Sequence, residues 1–466
     1  MKIGLVGPSY QQRSLVFDAQ RTVNLFPIAD EQGAEVSALY GTPGLLLFAT
    51  AGDGPIRGCL AAANDRAFVV SGDTLYELDS AGTATSRGTL LTSTGTVTLA
   101  ENGLQLAICD GAYVYILTYV GNVFAQVTDS DLPSAKNISF VDGYFVVTKN
   151  SSGQFYISAL YDGTSWAALD FATAESSPDD LSIATNFVGQ LGLFGHDTLE
   201  IWRNTGDSSF PFARISGSTP IGTIAPNTVI SIDTSVYWIG HNQEGAGIVY
   251  QAQGFTPKRI STDAIELILQ QETSPELLRT WAYQKEGHAF LVITGGSLAT
   301  SLIYDLSTQL WHERAYLNTS GVYEQHRGSC CMRIFNKHLV GDRETGKVYE
   351  LSMTTYTDNG DAILRKRIYT HLIDELKQVR YNSLEIGFET GVGLQTGQGS
   401  NPQVSLRISR DGARTWSSYF TTSIGAVGVY GQQVKFRRLG IQQQTTFEIS
   451  ISDPVKVAVI GSYLNV

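Results

Sequence analysis

AFVVSGDTLYEL, residues 67–78, decides the fold: an apolar strand runs into a turn at Gly and Asp and then into a second strand that carries a tyrosine. The pattern returns as LAICDGAYVYIL at 106–117 and as YFVVTKNSSGQFYIS at 144–158. Apolar and polar residues alternate on both sides of each turn, which is typical of a β-hairpin. The hairpin is therefore the basic repeating unit of this chain.

Looser copies of this hairpin continue through most of the sequence. They are LGLFGHDTLEIW at 191–202, SVYWIGHNQEGAGIVYQ at 235–251, AFLVITGGSLATSLIYDL at 289–306 and HLVGDRETGKVYEL at 338–351. A spacing of about 40–50 residues with several strands per unit is typical of the blades of a β-propeller. The predicted fold class is all-β, a β-propeller of about seven blades, with six or eight blades left open.

Composition and charge limit the functions that fit. Hydrophobic residues make up 42% of the 466 residues and charged residues 16%, a balance typical of a folded chain. The formal net charge is −12, whereas proteins that grip nucleic acid by its phosphates normally show a basic patch. The nearest candidate is RKR at 365–367, which we interpret as a solvated strand edge.

The cysteines and the N-terminus indicate folding in a reducing cytoplasm. Cys59, Cys109, Cys330 and Cys331 show no CxxC or Cys/His metal spacing, which predicts reduced, partly buried thiols. The N-terminal MKIGLVGPSYQQ lacks the apolar core of a signal peptide. No apolar run approaches the roughly 18 residues that a membrane-spanning helix needs.

The chain is predicted to contain four regions. They are an N-terminal arm and closing strand at 1–53, the propeller at 54–351, a linker at 352–364 and a C-terminal antiparallel β-sandwich-like module at 365–466. The linker is predicted from the turn-rich sequence TDNGD. The C-terminal module is predicted from short alternating strands joined by Gly-rich loops. The arm contains SYQQRSLVFDAQRTVNLFPI at 9–28, for which a bracing element and an ordinary closing strand both fit.

The segment STDAIELILQQETSPELLRT at 261–280 is predicted to be a helical insertion between blades. Ser261 or Thr262 can cap its first turn. Three apolar residues at i, i+3 and i+4 spacing form one stripe, and they are Ile265, Ile268 and Leu269. Insertions in a repeat fold commonly carry binding contacts, so this helix is predicted to be a contact surface.

No catalytic or metal-binding pattern is visible in the sequence. Asp129/Asp131 and Asp179/Asp180 are paired carboxylates, but both pairs lie in turn-like sequence, where aspartate serves the backbone. The seven histidines show no HExxH or H-x-H spacing, and neither a phosphate-binding loop nor a nucleophile elbow is present. We therefore expect no enzymatic activity, no cofactor and no metal.

SRDGARTW at 409–416 approximates the Asp-box turn S-x-D-x-G-x-T-W, with Ala413 in place of the last glycine. In such a turn Asp411 accepts hydrogen bonds from loop amides while Trp416 packs beneath, which is a structural role. The box also occurs in sialidase propellers, so a carbohydrate-binding or sialidase-like propeller is the alternative function. In sialidases the box repeats through the blades, whereas here it occurs once and outside the repeats.

Several segments, in their order along nearly the full length, resemble the tail nozzle proteins of short-tailed bacteriophages, also named packaged-DNA stabilisation or tail accessory proteins. The segments are SYQQRSLVFDAQRTVNLFPI (9–28), WAALDFATAESSPDDL (166–181), RISTDAIE (259–266), YDLSTQLWHER (304–314), GDRETGKVYEL (341–351), GVGLQTGQGSNPQVSLRISRDGARTW (391–416) and FRRLG followed by ISDPVKVAVIG (436–461).

This resemblance implies a structural virion protein of the phage tail, made and assembled in the cytoplasm of the bacterial host. It implies a ring of six copies below the portal and its adaptor ring, with tail fibre, spike or needle proteins nearby. Such a ring extends the DNA channel, retains the packaged DNA and conducts it at ejection. The acidic net charge further predicts that passing double-stranded DNA is not bound tightly.

Contacts of this assembly are predicted on the arm and on the helical insertion, because these are the elements outside the repeat. The arm offers side-chain donors that can pair across an interface. The residues chosen are Arg13, Arg21, Asn24, Ile265 and Glu266.

Overall fold

The computed structural model describes residues 2–29, 37–174, 176–215, 217–243, 245–375 and 377–466. Almost all regular structure in these ranges is β-strand. The helices described are α1 at Asp263–Gln270 and short 3-10 helices at Val120–Asn122, Pro226–Thr228 and Pro275–Leu277. No helix in this part of the chain has the length and apolarity that crossing a bilayer requires.

Seven antiparallel groups of strands in the described chain form the blades of a propeller; six of them are in separate sheets, and blade six is part of a larger sheet. Blade one contains Ile56–Ala61, Ala67–Ser71, Thr74–Leu78 and Ala84–Thr89; blade two contains Thr98–Glu101, Gln105–Cys109, Val114–Thr118 and Val123–Gln126. Blade three contains Ala135–Val141, Tyr144–Lys149, Gln154–Ala159 and Asp162–Thr173; blade four contains Leu181–Phe187, Gln190–Gly195, Leu199–Asn204 and Phe212–Arg214. Blade five contains Gly222–Thr223, Ile230–Ile232, Ser235–Asn242, Gly245–Gln253 and Thr256–Arg259.

The last two blades recruit strands from other parts of the chain. Blade six contains Arg279–Lys285, His288–Thr294, Ser301–Asp305 and Leu310–Leu317, with Tyr323–Gln325 paired to its outer strand. Blade seven contains Gly328–Ile334, Lys337–Asp342, Lys347–Ser352 and Gly44–Thr50. The fourth strand of blade seven thus comes from the N-terminal region and runs antiparallel to Lys347–Ser352.

Apolar clusters between successive blades hold the ring together. One such cluster joins each blade to the next, and the cluster that contains Val69 and Leu339 joins blade seven back to blade one. Full burial of one such side chain contributes roughly 1.5–3 kcal/mol, which a lone hairpin could not gain. The predicted fold class is confirmed, and the described blades number seven.

The tyrosine of the repeated hairpin fixes the turn before it. In blade two, Asp110 accepts hydrogen bonds from two turn amides and lies 3.2 Å from the donating hydroxyl of Tyr115. In blade seven, Asp342 likewise accepts two turn amides and the hydroxyl of Tyr349 at 2.7 Å. An aspartate in the turn and a tyrosine in the next strand therefore stabilise the hairpin together.

The C-terminal module is a sandwich of two sheets. The first contains, in spatial order, Leu25–Ala29, Ser37–Gly41, Ala458–Asn465, Val379–Phe388 and Val434–Gln442. The second contains Ala19–Val23, Arg365–Ile368, Gln444–Ile451, Gln403–Ser409 and Phe420–Ser423, with Tyr10–Gln11 and Leu372–Ile373 paired at its margins. An apolar core that includes Leu384, Phe436 and Phe447 fills the space between them. The predicted sandwich is therefore present.

One strand of the arm joins the two modules into a continuous sheet. Ala19–Val23 pairs in parallel with blade six, where Val23 lies opposite Glu313. On its other side it pairs antiparallel with Arg365–Ile368 of the sandwich, with Arg21 opposite Ile368. Twelve strands, including branches, consequently belong to one sheet that crosses the junction.

The segment at 352–364, predicted to be a linker, contains a short hairpin of Thr357–Asp358 and Asp361–Ala362. Asp358 pairs with Leu45 of the closing strand, and its carboxylate accepts a hydrogen bond from Arg314 Nη2 at 3.0 Å. The hairpin thus packs against blade seven. The division of the chain into separate regions at these boundaries stays a prediction.

Helix α1 lies between blades five and six, where its apolar stripe packs against the core and Ile268 is partly buried. Ile265 and Leu269 are each 1% exposed and join a cluster that also contains Trp311. Thr262 occupies the N-cap position, but its side chain makes no capping bond. The hydroxyl of Ser261 instead donates to Glu266 Oε1 at 2.6 Å, so neither predicted cap forms through its side chain.

Candidate functional site

The arm and blade six meet at a buried ion pair. Arg21 donates through Nε to Glu313 Oε1 at 2.9 Å and makes a second bond through Nη2 to Oε2. Glu313 also accepts hydrogen bonds from the hydroxyls of Ser9 at 3.0 Å and Thr300 at 2.8 Å. The carboxylate therefore binds two points of the arm and a neighbouring strand end of blade six.

The charges of this pair reinforce one another. Burial alone would raise the pKa of Glu313, which is 6% exposed, but the Arg21 guanidinium and the hydrogen bonds outweigh burial and lower that pKa. Attraction by Glu313 in turn raises the pKa of Arg21. Charge-assisted bonds with two parallel contacts have strict geometry, so the pair holds the arm in one position.

Asn24 connects three elements at the same junction. Its Nδ2 donates to the carbonyls of Ala315 and Leu364, both at 2.9 Å, and its Oδ1 accepts the amide of Ala315 at 2.9 Å. The residue is fully buried and has a φ of 56°, a conformation that asparagine tolerates better than most residues. It therefore ties the arm to blade six and to the chain that enters the sandwich.

The RKR segment at 365–367 is part of this junction, and its interpretation as a solvated edge is wrong. Arg365 and Arg367 are 1% and 0% exposed. Arg367 donates to the carbonyl of Leu5 at 2.7 Å and to Gln20 Oε1 at 2.7 Å, so the arm supplies its acceptors. Burial lowers the pKa of Arg367 to about 10. Uncharged acceptors therefore bond the buried guanidinium of Arg367. Because these acceptors are distant in sequence, the local sequence could not predict the burial.

The predicted assembly residues occupy different environments. Arg13 is exposed and makes no hydrogen bond or ion pair with the described residues. Ile265 is buried in the core, and Glu266 receives two hydrogen bonds from Arg259, at 2.6 and 2.9 Å. Arg21, Asn24, Ile265 and Glu266 therefore make contacts within the chain. A role for any of the five between subunits stays a prediction.

A basic groove of about 670 Å³ is lined mainly by the paired strands Val379–Phe388 and Val434–Gln442, at the edge of the first sandwich sheet. Its exposed arginines are Arg380, Arg437 and Arg438. No carboxylate of the described chain pairs with these three. The acidic net charge of the chain gives no sign of this basic group. The sequence pattern does not show it either, because the arginines come from two strands that are distant in sequence.

One aspartate of each carboxylate pair bonds backbone amides. Asp129 accepts hydrogen bonds from the amides of Asp131 and Trp166, each at 3.0 Å, and these bonds lower its pKa. Asp179 accepts the amides of Asp197 at 2.8 Å and Thr198 at 3.1 Å. Both aspartates therefore bond backbone amides. Asp129 does so within its own turn, as its sequence indicates, whereas Asp179 bonds the turn that follows strand Gln190–Gly195.

The turn at 409–416 has the geometry of an Asp-box. Asp411 Oδ1 accepts the amides of Arg414 at 3.1 Å and Thr415 at 2.9 Å, and the Thr415 hydroxyl donates to Oδ2 at 2.6 Å. Hydrogen bonds with Thr415 and Ser409 lower the pKa of Asp411 to about 2. Ala413 has a φ of 64°, the conformation in which the motif uses glycine.

Trp416 lies beside this turn, next to the sandwich strand Gln403–Ser409. The guanidinium of Arg407 from that strand stacks over the Trp416 ring, 5.3 Å from its centroid. Arg407 also pairs with the buried Glu448. The indole thus covers a buried charge pair of the sandwich.

Two of the scattered histidines are brought together by the fold. His196 follows strand Gln190–Gly195 of blade four, and His241 lies near the end of strand Ser235–Asn242 of blade five. Both contact the carboxylate of Asp197. Sequence spacing could not predict this cluster because its members belong to adjacent blades.

The fold and the junction define a class of protein. The chain consists of two β-modules joined through one sheet, and the buried polar groups at the junction stabilise the fold. This is the architecture of a structural protein. A family model described as "Bacteriophage P22 Gp10, beta-propeller" matches residues 1–356, and one described as "Bacteriophage P22 Gp10, beta-sandwich" matches residues 365–466. The chain belongs to this bacteriophage P22 Gp10 family. It is a structural protein of the phage tail and part of the virion.

Several solved structures are similar to the chain at low identity. The extracellular domain of a one-component system from B. thetaiotaomicron is 9% identical with a TM-score of 0.46, and the match covers 78% of this chain and 43% of that one. The WD40 domain of Neurospora crassa Pan2 is 10% identical with a TM-score of 0.42, covering 67% and 95%. The Cps50 (Swd1) β-propeller of Myceliophteria thermophila is 11% identical with a TM-score of 0.41, covering 66% and 98%. No curated protein matches the chain.

Proposed function

We propose that this chain is one subunit of a ring that extends the DNA channel of a short phage tail, retains the packaged genome and conducts it at ejection. The ring contains six copies, lies below the portal and its adaptor ring, and has fibre, spike or needle proteins nearby. It is made and assembled in the host cytoplasm. The observation that carries the proposal is the family match over both modules of the chain.

The junction supports this role because the wall of a conduit has to keep its parts in fixed relation. A hinged pair of domains would let the channel change shape as the polymer passes. Here a continuous sheet, the Arg21–Glu313 pair and the hydrogen bonds of Asn24 all cross between the modules. Each of these contacts resists relative movement of the propeller and the sandwich.

The charge supports passage of DNA without tight binding. Each phosphate neutralised by lysine or arginine adds salt-sensitive affinity, which would slow a sliding polyanion. The chain carries 44 acidic and 32 basic side chains, and several copies around one channel sum their negative fields. The basic groove is the exception, and in this proposal it faces an acidic surface of a neighbouring subunit.

Complementation of a phage that lacks this protein tests the proposal. DNA-filled heads without tails are mixed with purified protein and the remaining tail components, and DNA that becomes accessible to nuclease is measured over time. The parent chain should protect the genome and appear as a sixfold ring in averaged electron micrographs of the neck. Unprotected DNA, or incorporation as a monomer, would contradict the assignment.

A charge reversal at an arm residue tests the contact separately. Arg13→Glu should weaken incorporation, because an exposed donor on the arm that pairs with none of the described residues is replaced by an acidic group. Lys258→Glu is the matched control, since Lys258 is exposed on the outer strand of blade five and also makes no pair with the described residues. Equal incorporation of the two variants would remove Arg13 from the interface.

A further inference from the structure

The two histidines that meet between blades four and five share one carboxylate. His196 Nδ1 lies 3.0 Å from Asp197 Oδ1, and His241 Nδ1 lies 2.8 Å from the same oxygen. The two imidazole centroids are 3.7 Å apart. One potential ligand atom from each residue lies within 4.8 Å of the others. Three groups that commonly ligate metals therefore converge on one point.

We propose that His196, Asp197 and His241 bind a divalent transition-metal ion of the Zn²⁺ type and thereby link blade four to blade five. Nothing in the proposed tail role requires this site, and the site does not require the tail role. Two imidazoles and a carboxylate supply three ligands, with water completing the coordination.

The distances suit such an ion. Zn²⁺ bonds nitrogen at about 2.0–2.1 Å and carboxylate oxygen at about 2.0–2.2 Å, so neighbouring ligand atoms of a tetrahedral site lie roughly 3.3 Å apart. The nitrogen-to-oxygen distances here, 2.8 and 3.0 Å, are only a few tenths of an ångström shorter. Small side-chain rotations replace the hydrogen bonds to Asp197 by bonds to the ion. Each neutral imidazole gives its Nδ1 proton to water and takes one up at Nε2, so that Nδ1 is free to bind the ion.

The turn that carries His196 and Asp197 is fixed by groups outside the ligand set. Asp179 Oδ2 accepts the amides of Asp197 and Thr198, at 2.8 and 3.1 Å. A Cβ at Gly195 would lie 2.3 Å from Asp179 Oδ2, so the close approach of this carboxylate requires glycine. The ligands of blade four are therefore positioned before any ion binds, which reduces the cost of ordering them.

The opposite ligand is held by the sheet of blade five. His241 pairs with Gly222 in the strand ladder, and a Cβ at Gly222 would lie 2.4 Å from the carbonyl oxygen of His196. This contact brings the two blades together at the cluster. His241 and Asp197 have side chains 23% and 25% exposed, and His196 is 54% exposed, which leaves access for the ion and its waters.

The ligand types select the class of metal. Imidazole suits Zn²⁺, Cu²⁺ and Ni²⁺, whereas Ca²⁺ and Mg²⁺ require a set of oxygen ligands. Another histidine–aspartate contact, His288 with Asp305 at 2.8 Å, has no third ligand atom within 4.8 Å of both among the described residues. Within the described part of the chain, the blade four–blade five cluster is the one group that brings three such residues together.

Metal titration of the full, tag-free chain tests the proposal. Isothermal calorimetry with Zn²⁺ should show one ion per chain, and Co²⁺ should give the visible absorption of an imidazole-bound ion. Asp197→Asn keeps the side-chain size, and together with His241→Ala it should weaken Zn²⁺ binding more than tenfold. His338→Gln, which replaces a half-buried histidine of blade seven, is the control and should bind like the parent.

A second measurement separates lost ligands from lost folding. Circular dichroism should give the same spectrum for parent and variants, and Zn²⁺ should raise the melting temperature of the parent and the control but not of the double variant. Absence of saturable Zn²⁺ binding by the parent would overturn the proposal. Binding of the same affinity in the Asp197→Asn/His241→Ala variant, or its loss in the His338→Gln control, would also overturn it.

Discussion

Replacing Arg21 by methionine should cost the folded chain about 3 kcal/mol or more. Methionine keeps much of the apolar stem but removes the charge. Among the described donors, Glu313 then retains only the hydroxyls of Ser9 and Thr300. Removal of one partner of a buried pair typically costs about 3–5 kcal/mol, because the other charge stays buried. Glu313→Gln should cost less, about 1–2 kcal/mol, since Arg21 is 24% exposed and can reach water.

The pH dependence follows from the charge that is left behind. In Arg21→Met, burial of Glu313 is no longer opposed by the guanidinium, so its pKa rises above that of the unfolded chain. The folded variant then binds a proton more readily than the unfolded chain. Its penalty should therefore be largest at pH 7 and should shrink as the pH falls through the raised pKa.

Urea unfolding followed by tryptophan fluorescence measures these effects at pH 7 and pH 5. The two single variants and the double variant form a cycle, in which the coupling energy should exceed about 1 kcal/mol. Lys377→Met is the control, because Lys377 and Glu375 form a pair that is 65% and 77% exposed and should contribute about 0.5 kcal/mol or less. A cost for Arg21→Met as small as that of the control would refute the reasoning.

Three further predictions concern other sites. Ala413→Gly should raise the free energy of unfolding by about 0.5–1 kcal/mol, because glycine adopts a φ of 64° without strain. A lower urea midpoint than that of the parent would contradict this. Burial lowers the pKa of His312 to about 4. Between pH 6.5 and 4 the unfolded chain alone gains the proton, so the free energy of unfolding should fall by about 3 kcal/mol. His312→Phe should flatten this dependence of the unfolding free energy on pH. The purified chain should not bind duplex DNA near physiological salt in a fluorescence anisotropy series; tight, salt-steep binding lost in Arg437→Glu would place the basic groove in the channel.

Local pattern carried the prediction of the propeller. Each hairpin is a short segment whose alternation and turn residues lie together in sequence, as in AFVVSGDTLYEL at 67–78, so the repeat was visible without tertiary information. Asp129 was likewise interpreted correctly, because it accepts an amide of its own turn. Asp179 also bonds backbone amides, but those amides belong to a different turn, 18 residues further along the chain.

Contacts between segments that are distant in sequence could not be predicted from the sequence. RKR at 365–367 has the composition of an exposed edge, yet the carbonyl of Leu5 and the side chain of Gln20 make its burial possible. His196 and His241 meet because Gly222 lets two blades approach closely. In both cases the partner lies on a segment that is distant in sequence, so no spacing within one segment could predict it.

Strands from the first fifty residues complete both modules and join them. Gly44–Thr50 completes blade seven, Ser37–Gly41 pairs with the last strand of the sandwich, and Ala19–Val23 joins the two modules. Every one of these strands pairs with a segment far along the chain, and such contacts form late because long loops must close first. We therefore expect the arm to dock last, onto a propeller and a sandwich that are each incomplete without it. A subunit would then present its contact surfaces in final form only when both modules are joined, which couples completion of the fold to incorporation into the tail.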